Sequence, residues 1–320
     1  MALKLPGRWL WDFWLAKEGE THHLFYLNSP NTFANESERH FRVSVGHAVS
    51  SDLKNWSVLP EALGPSADDP DAFDNYTTWT GSVVKHDGLW YLFYTGSKKQ
   101  EQGLVQRIGL ATSHDLTHWQ KHSRDAVLEA DPEWYELLDL TSWNDQAWRD
   151  PWVFRDDAGT FHALVTARAK GGPPDARGVI GHATSQNLTD WQVGPPITEP
   201  GDFGQLEVPQ LVKLESRYVL LFSTGVGQVS SARRARGETP VTGTYYFTAD
   251  GPLGPFHGPA RVLYGDPGGS LYAGKMVQDP SGAWVFLAFR YNSAEGEFLG
   301  ELSDPYPVRI YQDGGLEVEV

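Results

Sequence analysis

The 320-residue chain has no cysteine. That excludes disulfides, thiolate metal sites and a cysteine nucleophile. No stretch reaches ~18 apolar residues, so no membrane-spanning helix is expected. The opening MALKLPGRWLWDFW is broken by Lys4, Arg8 and Asp12 and lacks the ~7–15-residue apolar region of a secretory leader. The sequence as it stands therefore reads as cytoplasmic, or as secreted if a leader was trimmed. Positive charge is scarce too: 26 Lys and Arg stand against 41 Asp and Glu, a net charge of −15. Nucleic acid and anionic membrane surfaces are poor partners for such a chain. Helical periodicity is missing as well, except that 132–140 (PEWYELLDL) reads as one short helix inside a loop.

What is abundant is aromatic. Thirteen Trp, 13 Tyr and 15 Phe exclude disorder, which is aromatic-poor. An eleven-residue motif recurs. It begins at Gly46 (GHAVSSDLKNW), Gly109 (GLATSHDLTHW) and Gly181 (GHATSQNLTDW), with a weaker copy over 246–256. Each copy reads as a strand, a Ser/Asp turn and a covering tryptophan. Five short runs rich in β-branched and aromatic residues lie at 23–27, 90–94, 161–165, 218–222 and 284–288. They are too short for helices and bounded by turn residues, so they read as five buried strands. Asp87-Gly88, Asp157-Ala-Gly159 and Ser281-Gly282 mark hairpins before three of them, and Asp313-Gly-Gly315 marks a last one. Several strands per unit, repeated five times, predict an all-β, five-bladed propeller. No linker or composition shift divides 1–320, which is read as a single domain.

The repeat also puts carboxylates in phase. Asp12, Asp150 and Glu207 each lie 11 or 12 residues before a buried strand, on the strand preceding it. The matching positions elsewhere are Gly81 or Ser82, and Ala273. In a propeller the innermost strands surround a central channel, so equivalent positions converge on the axis. Trp9, Trp11, Trp14, Trp79, Trp148 and Trp152 are expected to cluster there. A carboxylate among such residues is costly unless it is paired, ligating or catalytic. Glycoside hydrolysis uses such a set, with a protonated acid at the leaving oxygen and an ionised carboxylate at the anomeric carbon. Arg149 is expected to keep Asp150 ionised.

These residues resemble glycoside hydrolase family 32, the fructan hydrolases and invertases. These are five-bladed propellers that share a clan with the family 68 fructosyltransferases. The resemblance rests on Gly46–Leu53 with Trp56, Leu59-Pro60 and Ala62-Leu63; on Trp79-Thr-Gly-Ser82 and Phe93-Tyr-Thr-Gly96; on Arg149-Asp150-Pro151 and Glu207-Val208-Pro209; and on 266–273. It implies a retaining mechanism with Asp12 as nucleophile, Glu207 as general acid/base and Asp150 as transition-state stabiliser. It implies sugar binding by Trp79, Ser82, Arg149 and Tyr272. Trp11, Trp14 and Asn28 complete the expected substrate-binding set. The family's Trp-Met-Asn-Asp-Pro-Asn-Gly is here Trp9-Leu-Trp11-Asp12-Phe13-Trp14, without the two amides, and its Gln after the first buried strand is replaced within Phe25-Tyr26-Leu27-Asn28. Its Glu-Cys-Pro is Glu207-Val208-Pro209. The chain is expected to hold the propeller alone, without the β-sandwich usual after it in the family.

The expected activity is exo-cleavage of a terminal furanoside, β-fructofuranosyl, on a small-molecule or oligosaccharide substrate. Three alternatives remain at this point: an inverting arabinosidase or xylosidase like those of family 43, a fructosyltransferase, and a catalytically silent sugar-binding propeller. No cofactor and no metal are expected. The acidic loop 68–74 lacks Ca²⁺-loop spacing, and no His-Glu-x-x-His is present. The basic run 233–236 reads as a solvated hairpin tip. The chain is expected to be a monomer or weak homo-oligomer.

Overall fold

Five antiparallel sheets are arranged around one axis in a computed structural model that describes residues 3–33 and 35–320. Blade 1 is built from Arg8–Glu18, Thr21–Pro30, Ser44–Ser50 and Ser57–Leu63. Blade 2 comprises Thr77–His86, Leu89–Ser97, Gln106–Ser113 and Gln120–Lys121. Blade 3 comprises Trp148–Arg155, Phe161–Arg168, Gly178–Ser185 and Trp191–Gly194. Blade 4 comprises Glu207–Leu214, Arg217–Thr224, Thr242–Ala249 and Phe256–Asp266. Blade 5 comprises Leu271–Gln278, Trp284–Asn292, Tyr306–Ile310 and Leu316–Val318, with Phe298–Leu302 also paired to its second strand. The first strands of successive blades touch around the ring, and that of blade 5 returns to that of blade 1. The chain is the five-bladed propeller expected from its repeat.

The five apolar runs are the second strands, and the reason is burial on both faces. Phe161–Arg168 is buried at every position, whereas the outermost Ser57–Leu63 is mostly exposed. A strand covered on two sides reads as a continuous apolar run rather than an alternation. The repeated motif forms each third strand and its turn. Asp52, Asp115 and Asn187 accept hydrogen bonds from backbone N–H groups two and three residues on. That pins Leu53, Leu116 and Leu188 at φ 61°, 62° and 69° with their side chains in the core. Trp119 and Trp191 close the turn by donating to the carbonyls of Leu116 and Leu188. The motif's leading glycine makes room for aromatics: a Cβ on Gly46 would lie 2.2 Å from the Tyr26 ring, and one on Gly109 2.2 Å from Phe73.

Two local expectations fail. Segment 132–140 is not helical: Tyr135 forms an isolated bridge with Ala169 and packs on Trp148, and Glu136 binds Arg168 and Arg177. Tertiary anchoring outweighs the helix propensity of nine residues. The run 233–236 is no hairpin tip: Ser231–Ala235 is a short helix, and buried Arg233 pairs with Asp202 and Glu238.

Candidate active site

Every inner strand slips register at the same level. The shifts fall between Leu10 and Phe13, at Trp79/Gly81, opposite Leu164/Thr166, between Glu207 and Gln210, and between Tyr272 and Lys275. Bulges of this kind bend a strand and re-aim its side chains. Asp150, Val208 and Ala273, at φ 57°, 53° and 51°, sit in them with left-handed backbone. Such conformations cost about 1–3 kcal/mol each and persist only where the surroundings fix them. Pro151 and Pro209 are the sequence trace of two bulges, since proline is tolerated within a sheet only at edges, strand starts and bulges.

The bulges surround one cavity of about 740 Å³ lined by Asp12, Asp150 and Glu207. Asp12 Oδ2 accepts from Thr80 Oγ1 at 3.0 Å. Burial pushes the Asp12 carboxyl up to about 7, with Asp150 and Glu207 adding repulsion. Asp150 Oδ2 accepts from Thr166 Oγ1 at 2.9 Å and from the Val208 N–H at 3.2 Å. Arg149 Nη2 meets Glu207 Oε1 at 2.6 Å, while its Nε is 3.6 Å from Asp150. The same guanidinium holds Gln106 at 2.9 Å and Asp145 at 3.3 Å. Tyr272 O–H donates to the other oxygen of Glu207. Arg149 is thus foremost the partner of Glu207, not of Asp150, and burial raises the Asp150 carboxyl despite Arg149.

Trp11, Trp79, Arg149 and Tyr272 line the cavity, as expected of sugar-binding positions. Three others do not. Trp14 is turned into the core and stacks on Phe25, lining instead a smaller cavity of about 340 Å³. Asn28 is tied to Arg8 and Ser44, and its neighbour Leu27 faces the cavity. Ser82 Oγ accepts the Val153 N–H at 3.0 Å, joining blades 2 and 3; Thr80, two residues earlier, is the blade-2 residue at Asp12. The tryptophan cluster is correspondingly thinner: Trp9 packs on Phe298, Trp148 on Tyr135, and Trp152 on the smaller cavity. The bulges explain this: Trp14, Ser82, Trp148 and Trp152 lie two residues from a funnel position, where simple alternation would keep them on its face, and the register slip turns them into the blades.

Sequence reasoning missed the short 3-10 turn Glu36–Phe41, which brings Arg39 and His40 to the wall. Trp79 Nε1 donates to the His40 carbonyl at 2.8 Å, and the His40 ring meets Trp11 edge to face. Burial, with Arg39 and Arg149 adding, pulls His40 down to about 3, so its imidazole is neutral. Arg39 stacks 4.0 Å from the Phe298 ring centroid. No spacing signal announces this turn.

Fold and site together define a class, the five-bladed propellers with an acidic axial funnel. Within it, the chain belongs to glycoside hydrolase family 32: the model of the family's N-terminal domain matches residues 14–298. Among curated sequences it is 32% identical over 185 residues to a sucrose-6-phosphate hydrolase of Bacillus subtilis, covering 56% of this chain and 34% of that protein. The chain thus spans about a third of the relatives it matches first. Among solved structures it resembles an inulosucrase from Halalkalicoccus jeotgali (TM-score 0.77, 21% identity, 98% of this chain and 87% of that one). It also resembles a β-fructofuranosidase of Bombyx mori (TM-score 0.73, 19% identity, 99% and 64%). At these identities the two structures speak for the fold.

Proposed function

We propose that this chain is a retaining glycosidase that releases a terminal β-fructofuranosyl unit. The observation that carries the reading is the convergence of Asp12, Asp150 and Glu207, from three blades, on one cavity. Asp12 attacks the anomeric carbon while Glu207 gives its proton to the departing glycosidic oxygen; the C–O bond breaks and a glycosyl ester of Asp12 forms. Glu207 then takes a proton from water, whose oxygen attacks the same carbon and expels Asp12. Asp150, fixed by Thr166 and the Val208 N–H, accepts from sugar hydroxyls as positive charge develops on the ring. Arg149 exchanges Glu207 for a substrate hydroxyl, which frees Oε1 for the leaving oxygen. Trp11 and Trp79 present apolar ring surface to the sugar. Membership of family 32 and the names carried by its relatives support fructosyl substrates.

The test is a panel of sucrose, inulin, levan, raffinose and aryl arabinofuranosides, with the first-formed anomer followed by NMR. Fructose released with retained configuration is expected, and Asp12→Asn is expected to lower kcat by on the order of 10³-fold or more. Inverted product, or sugar bound by calorimetry without turnover of any member, overturns the reading. Growth of longer oligosaccharides at high sucrose would assign the same residues to transfer instead.

A further inference from the structure

Behind the carboxylates, on the inner strand of blade 5, lies Lys275, with 3% of its surface exposed. A buried ammonium carries a large desolvation cost and is retained where it is paired or functional. Its Nζ donates to two carbonyls, Val208 at 2.6 Å and Pro209 at 3.2 Å. Those carbonyls form the bulge that follows Glu207. The same bulge supplies the Val208 N–H that binds Asp150. One lysine therefore grips the short backbone segment from which two of the three carboxylates take their positions.

We propose that Lys275 is a positioning residue of the reaction centre: it locks the Val208–Pro209 bulge, and through it Glu207 and Asp150, and supplies the positive charge that faces Asp12 and Asp150 from beneath. The inference rests on the roles given to these carboxylates above. The groups around it come from every neighbouring blade. The charges that act on it are those of Asp150 in blade 3 and Asp12 in blade 1. Lys17 and His22 of blade 1 and Lys213 of blade 4 line the small cavity on its far side, which holds no carboxylate. The Trp152 ring centroid lies 6.0 Å from Nζ. Burial pulls Lys275 down to about 7, and Asp150 and Asp12 oppose that pull. In return Lys275 acts against the upward push on Asp12.

Three variants separate charge from packing. Lys275→Met removes the charge and the donors at similar volume, Lys275→Gln keeps a donor without the charge, and Lys275→Arg keeps the charge. Two readouts are taken: the pH profile of kcat/KM on sucrose, and the ¹³C titration of the Asp12 carboxyl, assigned with Asp12→Asn. In Met and Gln the Asp12 midpoint and the acid limb are expected to move to higher pH, and in Arg to return toward wild type. For Met, kcat at its optimum is expected to fall about 10²-fold, the scale of a misplaced catalytic group. Should Met fail to fold, Gln carries the comparison. An Asp12 midpoint unmoved in a folded Met or Gln variant overturns the proposal. The ¹³C titration needs no turnover, so a wild-type protein inactive on every sugar would sink the reaction while Lys275 was still decided.

Discussion

Arg149 of blade 3 and Glu207 of blade 4 form a 2.6 Å ion pair across the funnel, and the same guanidinium reaches Gln106 and Asp145. Three side chains, from blade 2, from blade 4 and from the loop that leads into blade 3, thus meet on one planar fork. A lysine offers a point charge in its place and cannot satisfy that geometry. Arg149→Lys is therefore expected to lower kcat/KM about 10²-fold, in line with the cost of ~1 Å misplacement. A Lys variant within threefold of wild type would show that charge alone suffices.

Asp12 binds its proton more tightly in the fold, at about 7, than an unfolded aspartate does at ~3.9. Between these values the folded state holds more protons, so on its account stability falls as pH rises from about 4 to about 7 and stays lower above. Asp12→Asn removes that titration. Its melting temperature should gain on wild type across this window and hold a constant lead at higher pH; a pH-independent gap contradicts the burial of Asp12. The same ionisation is expected to set the acid limb of kcat/KM near pH 7.

Thr80 and Ser82 separate the position that touches Asp12 from its neighbour. Thr80→Val removes a hydrogen bond that favours ionised Asp12, so the acid limb should move to higher pH while kcat on the plateau changes little. Ser82→Ala leaves the buried Val153 N–H without its partner, a cost of ~1–3 kcal/mol. It should lower the melting temperature and leave kcat/KM within twofold. Exchanged phenotypes would return Ser82 to the sugar site.

Gly46→Ala places a methyl 2.2 Å from the Tyr26 ring, inside a packed core. Overpacking of this kind costs ~1–3 kcal/mol, and at ~2.1 cal/mol/K of unfolding entropy per residue each kcal/mol is worth roughly 1.5 °C in a chain of this size. Calorimetry should show a drop of a few degrees. An unchanged melting temperature would mean that Tyr26 moves aside without cost.

The blade count was legible because the second strands are covered on both faces and so appear as apolar runs, and because Asp52, Asp115 and Asn187 cap the same turn three times. The carboxylate set was legible from phase: the interval from Asp12, Asp150 and Glu207 to the next buried strand is nearly constant. The lining was legible only in part. Trp14, Asn28 and Ser82 stand beside funnel positions in sequence, and a bulge decides which neighbour faces the axis; Pro151 and Pro209 hinted at two such bulges, and nothing at those beside Asp12 and Thr80. Arg39 and His40 arrive on an irregular turn that no periodicity describes.

By itself, then, the amino-acid sequence determined the five-fold repeat, the strands and the three acids, because burial pattern, turn chemistry and chain interval are local properties. Only the tertiary structure decided that Arg149 holds Glu207 before Asp150, that Thr80 rather than Ser82 serves Asp12, and that Lys275 grips the bulge behind them. Those partners lie on different blades, up to 68 residues apart, and become neighbours only because closing the ring brings every inner strand to one axis.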